Sequence, residues 1–190
     1  MHEKVRNDRR ISPQSTVLIV LAVISVGIIF LLQTKDSTFS QLGSSQFQKG
    51  KPAPPFSLPN LDGNMVSLGA YKGKVVFLNI WATWCPPCVE EMPSMEKLFQ
   101  SLNKEDFEIL AVNIDASGLK AVRPFMKKHR LHFPVLIDPK GTIQRLYRTT
   151  GIPESIIIDK NGIIVEKIMG ARDWGSNEAI RYFQDLIQKN

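Results

Sequence analysis

The seven residues Val75-Val-Phe-Leu-Asn-Ile-Trp81 carry no charge, and four positions later stands Cys85-Pro-Pro-Cys88, followed after Val89 by Glu90 and Glu91. A nearly continuous apolar run of this length is the mark of a strand buried on both faces, as in a sheet covered by helices. Two consecutive prolines break a helix interior but suit its first turn, where the amide hydrogens have no intrahelical partner. The stretch therefore reads as strand, turn and helix, the helix running from Pro86 to Leu102. Both cysteines of the chain lie at the joint. Pro93, further in, is expected to kink the helix.

The same alternation continues. Phe107 to Ile114 reads as a second buried strand, Leu119 to His129 as a helix and Val135 to Ile137 as a short third strand. Ser155–Asp159, the turn Asn161-Gly162 and Ile163–Ile168 form an antiparallel hairpin. Ser176 caps a last amphipathic helix from Asn177 to Lys189, with Ile180, Phe183 and Ile187 on its inner side. Ahead of all this, "KPAPPFSLPNLDGNMVSL" offers strand pieces at Phe56–Leu58 and Met65–Leu68 around the turn Asp62-Gly63. Strands alternating with helices and closing on a hairpin describe an α/β fold around a mixed central sheet, with an N-terminal strand extension.

The first quarter of the chain has a different character. No charged residue lies between Arg10 and Lys35, and Val17–Leu32 is apolar apart from one Ser and one Gly. With its neutral flanks this run reaches the roughly 20 residues that cross a bilayer. A cleaved signal peptide is the competing reading, because Lys4, Arg6, Arg9 and Arg10 form a basic leader. The run is longer than the usual h-region of about 7–15 residues, and no small-residue cleavage site follows closely. Arg9-Arg10 makes only a weak case for twin-arginine export. The segment is accordingly expected to be an uncleaved anchor, with residues 1–14 cytoplasmic, 15–34 spanning, 35–50 a Ser-, Gln- and Gly-rich tether, and 51–190 a folded domain on the extracytoplasmic side.

The formal charge of +6 includes five Lys/Arg against three acids in residues 1–36, so the domain is only mildly basic. Lys127-Lys128-His129-Arg130 reads as the solvated cationic end of a helix. Nothing in the charge pattern supports nucleic-acid binding.

Three chemistries fit a Cys-x-x-Cys pair. A static crosslink over so short a loop removes little unfolded-state entropy. Structural zinc needs four ligands, and the other soft candidates are His2, across the membrane, and His129 and His132 near a helix end. Cu(I) can be held by two thiolates alone, so a metallochaperone remains the non-enzymatic alternative. The redox reading uses the helix terminus: first-turn amides and the helix dipole favour a thiolate at Cys85, making it the attacking group. Cys88, one turn in, is shielded and resolves the mixed disulfide. Pro86 and Pro87 restrict the loop and offer no amide hydrogen to either sulfur. No cofactor or metal is required. Trp84, next to Cys85, provides an apolar platform for partners, whereas Trp81 fits the core equally well.

"WATWCPPCVEEMP", the strand "KVVFLNIW" before it and the later "GIPESIIIDKNG" resemble the membrane-tethered, extracytoplasmic thioredoxin-like proteins of the TlpA/ResA/CcmG type, over about Gly50 to Asn190. The resemblance implies a thioredoxin-like fold with a central insertion, and a thiol-disulfide oxidoreductase that reduces protein disulfides. It also implies apocytochrome c as a client in c-type cytochrome maturation and a membrane-embedded thiol as electron donor. A disulfide oxidase or isomerase on the same side of the membrane is the second alternative, since a C-x-x-C couple runs in either direction according to its potential. Where ordinary thioredoxins carry a buried aspartate, this chain has Asn79, which does not titrate. The resemblance passes the proton-transfer role to Glu91, one turn beyond Cys88. It further implies that Ile152–Pro153 is cis and that the Ile152 backbone pairs with the client.

Overall fold

A computed structural model of the chain describes residues 49–189. The expected span at 15–34 and most of the tether lie outside them. Among the described residues no helix is long and apolar enough to cross a membrane.

Two strands, β1 (Ser57–Pro59) and β2 (Met65–Ser67), pair antiparallel. Their turn is drawn together by Asn60, whose side chain accepts from the amides of Asp62 and Asn64, both at 2.9 Å. Gly63 takes the positive φ of 84° that this turn needs. A single 3-10 turn follows at Leu68–Tyr71 and takes up Leu68, the last residue of the expected second strand.

The main sheet is built from β3 (Val75–Trp81), β4 (Phe107–Asn113), β5 (Val135–Ile137), β6 (Glu154–Ile158) and β7 (Ile164–Met169) in the order β5-β4-β3-β6-β7. β3, β4 and β5 run parallel, β6 runs antiparallel to β3, and β7, antiparallel to β6, returns to the direction of β3. The helices are α1 (Pro86–Ser101), α2 (Leu119–His129), α3 (Thr142–Leu146) and α4 (Asn177–Gln188). α1 is one element of 16 residues that runs on through Pro93. The segment between β4 and β6 thus holds α2, β5 and the one-turn α3, which the sequence pattern had not suggested.

Every residue of β3 is buried, so it sends side chains into two cores. Val75, Phe77 and Trp81 join Met92, Met95 and Leu98 of α1, Val122 and Met126 of α2 and Phe183 of α4. Val76, Leu78 and Ile80 join Leu58, Leu136, Ile143, Tyr147 and Ile156 on the other side. The period of two that sorts them also decides where Asn79 goes: it shares the face of Phe77 and Trp81, under α1.

Candidate active site

The turn after β3 delivers Cys85 to the N-terminus of α1. Cys85 is the N-cap with extended backbone (φ −96°, ψ 104°), and Pro86 and Pro87 occupy the first helical positions. The Cys88 amide donates to Cys85 Sγ at 3.4 Å, while the Val89 amide closes on the Cys85 carbonyl at 3.1 Å. One first-turn amide therefore reaches the sulfur, because the two prolines have none to give. The sulfurs of Cys85 and Cys88 are bonded to each other, with their Cα atoms 5.3 Å apart.

Cys88 is fully buried and Cys85 is 4 % exposed. Cys85 is thus less shielded than Cys88 but not open to solvent: the helix turn and Ile152, whose carbonyl oxygen lies 3.7 Å from Cys85 Sγ, leave it a narrow opening. Around that opening Trp84 is 64 % exposed, Pro86 and Pro87 are exposed, and Ile152 is half-buried. Pro153 is buried and its peptide bond with Ile152 is cis. The predicted residues from both loops are brought together.

Glu91 points inward. It is 2 % exposed, whereas its neighbour Glu90 is exposed. Asn79 Nδ2 donates to its Oε1 at 2.9 Å, and Trp174 Nε1 donates to Oε2 at 3.0 Å with the Arg172 amide at 3.3 Å. Asn79 also donates to Ser155 Oγ at 3.0 Å. Burial raises the Glu91 pKa above the ordinary carboxylate value, against the opposing pull of the Trp174, Asn79 and Arg172 hydrogen bonds and the Arg172 charge. A cleft of about 360 Å³, lined by Glu90, Pro93, Ser94, Ala171 and Arg172, reaches Glu91 from solvent. A carboxyl with a raised pKa and an outlet of this kind can hold or hand on a proton.

Sequence reasoning had not found Trp174 or Asp115. Asp115, 3 % exposed, accepts from the Thr83 amide at 3.0 Å, from Thr83 Oγ at 2.9 Å and from Asn113 Nδ2 at 2.6 Å, pinning the loop that leads into Trp84-Cys85. Of the histidines considered as ligands, His129 stacks on Phe125 with centroids 4.3 Å apart, and His132 Nδ1 lies 2.8 Å from Glu96 Oε1. Neither was drawn into a group of three or more His, Cys, Asp or Glu among the described residues.

The AhpC/TSA family model matches residues 49–167. The thiol-disulfide oxidoreductase ResA of Bacillus cereus (strain ATCC 10987) is 38% identical over 153 residues, which cover 80% of this chain and 86% of that protein. The thioredoxin-like protein YneN of Bacillus subtilis is 44% identical over 125 residues, 65% of this chain and 72% of that one. Among solved structures, a thiol:disulfide interchange protein of the thioredoxin family from Chlorobium tepidum superposes with a TM-score of 0.59 at 30% identity, over 74% of this chain and 98% of that chain. StoA from Bacillus subtilis gives 0.59 at 26% identity, over 69% and 96%. The chain belongs to the AhpC/TSA family and, within it, to the thioredoxin-like thiol-disulfide oxidoreductases named ResA.

Proposed function

We propose that this oxidoreductase is a reductase of protein disulfides, held to the outer side of the cytoplasmic membrane by residues 15–34, with c-type cytochrome precursors among its clients. Cys85 attacks the client disulfide, one client sulfur leaves as a thiol, and Cys85 forms the mixed disulfide. Cys88 then attacks Cys85, the second client thiol leaves, and the Cys85–Cys88 disulfide remains for an external dithiol to reduce. Glu91 takes the Cys88 proton as that thiol becomes the nucleophile. The client segment lies extended along the Ile152 backbone, where main-chain bonds give affinity without strict sequence selection.

One observation carries the direction: a single amide stabilises Cys85 Sγ. A strong oxidant is one whose reduced, thiolate form is heavily stabilised, and here Pro86 and Pro87 withhold two of the donors that would do so. A buried carboxyl one turn from Cys88 also disfavours added negative charge. The membrane position is supported by the basic leader and the uncharged run of residues 17–32. Equilibration of the Cys85/Cys88 couple with glutathione tests the reading. A potential near thioredoxin's roughly −270 mV supports it, and one near about −120 mV, the oxidase range, refutes it.

A further inference from the structure

Glu154 follows Pro153 directly and is 1 % exposed, although nothing in the disulfide chemistry uses it. It projects to the face of the sheet opposite Glu91, beside Ile156 of the second core. β7 places Lys167 opposite Ile156, so Lys167 and Glu154 are diagonal neighbours on that face. Lys167 Nζ lies 3.2 Å from Glu154 Oε2. The same ammonium donates to the Tyr147 carbonyl at 2.9 Å and to the Arg148 carbonyl at 3.3 Å.

These acceptors come from the two ends of one segment. Tyr147 and Arg148 open the loop that runs through Thr149, Thr150, Gly151 and Ile152, and Glu154 closes it after Pro153. Arg148 has a φ of 47°, in the left-handed region that side chains larger than glycine seldom enter. A lysine, with three donors on one centre, donates to both carbonyls while its charge pairs with the Glu154 carboxylate. The β6–β7 pairing does not need this contact, since five residue pairs already hold it. An ion pair between a buried carboxylate and a part-exposed ammonium also adds little stability over a well-packed apolar pair, so what it contributes is a fixed geometry.

We propose that Lys167 and Glu154 are positioning residues: together they clasp the 147–154 loop shut and so set the Ile152 backbone at its distance from Cys85. The inference rests on the reading that a protein client pairs with that backbone. A small disulfide, which needs no extended pairing, is indifferent to the clasp.

The test uses the enzyme with Lys167→Met, with Glu154→Gln and with both positions changed to Met. Two quantities are read: amide hydrogen exchange across the domain, and steady-state reduction of insulin beside that of dithiobis(nitrobenzoate). Each single variant is expected to raise KM for insulin at least about five-fold with kcat altered less than two-fold, to leave the small disulfide within two-fold, and to speed exchange at the 149–152 amides about ten-fold while β3 and β4 stay protected. The double Met variant regains thermal stability and keeps the high KM for insulin, which a purely structural ion pair would not do. Equal loss on both substrates with faster exchange throughout, or no change in KM and in loop exchange, overturns the proposal. If the unmodified enzyme reduces the small disulfide but not insulin, the client reading has failed, and loop exchange alone then decides the clasp.

Discussion

Trp174→Phe separates the packing of an indole from its hydrogen bond. The Trp174 ring packs, tilted, against Phe77 at 4.6 Å and against Phe183 at 6.4 Å, contacts a phenyl ring partly keeps, but a phenyl ring has no N–H to join the Arg172 amide in donating to Glu91 Oε2. The packing loss is the same at every pH. The hydrogen-bond loss is not, because a bond to a charged acceptor is worth about 1.5–3 kcal/mol and one to a neutral acceptor about 0.5–1.5 kcal/mol. Since the native state holds the Glu91 proton more tightly than the unfolded chain does, stability from this group is full below the ordinary value of 4.5 and is lost as pH rises through the raised native value. Removing a donor to the carboxylate raises that native value further, so the variant loses more. The destabilisation should therefore be about 1 kcal/mol greater at about pH 8 than at about pH 4, a factor of roughly five in the folding equilibrium. Urea unfolding followed by far-ultraviolet circular dichroism, with the disulfide intact and equal m-values, measures it. A destabilisation equal at the two pH values within about 0.3 kcal/mol would refute the placement of the carboxylate charge on this bond.

Cys88→Ser should accumulate a mixed disulfide with clients and Cys85→Ser none, as read on non-reducing gels; the reverse pattern exchanges the roles of the two sulfurs. Glu91→Gln should slow disulfide exchange by about 10²-fold and remove the part of its pH dependence centred on the raised native value of Glu91, because an amide takes up no proton there. An unaltered pH–rate profile would remove Glu91 from the reaction.

What the sequence disclosed about this molecule was periodic or local. The uncharged run of β3, the prolines opening α1 and the Ser176 cap, whose oxygen accepts from the Ala179 amide at 3.1 Å, are written within a few residues of where they act. α3 escaped because it is a single turn entered through Gly141 in the left-handed conformation, too short for a helical period to register. The burial of Glu91 needs partners 12, 81 and 83 positions away, and the Asp115–Thr83 contact spans 32. Distances of that kind follow from sheet order, which no local pattern encodes. Asn79, read as a lost proton carrier, turned out to hold Glu91, and its place opposite Ser155 in the β3–β6 ladder is what puts it there.

The outermost strands of the main sheet bear on how such an enzyme lives among unfolded chains. An open strand edge recruits extended polypeptide without regard to sequence, and on the proposed reading, in which clients lie extended beside Ile152, this protein is unusually exposed to that hazard. β5 is only three residues long, with Asn60 bridged to Leu136. On the far side, Gly50–Pro52 bonds along the start of β7, and the strand then presents Glu166 and Lys167 in its middle. Short length, a covering segment and charge blunt both rims of the sheet. Templated growth along the domain is thereby discouraged, and on the proposed reading docking is left to the loop beside Cys85, where an arriving chain meets the sulfur that attacks it and that Cys88 later frees.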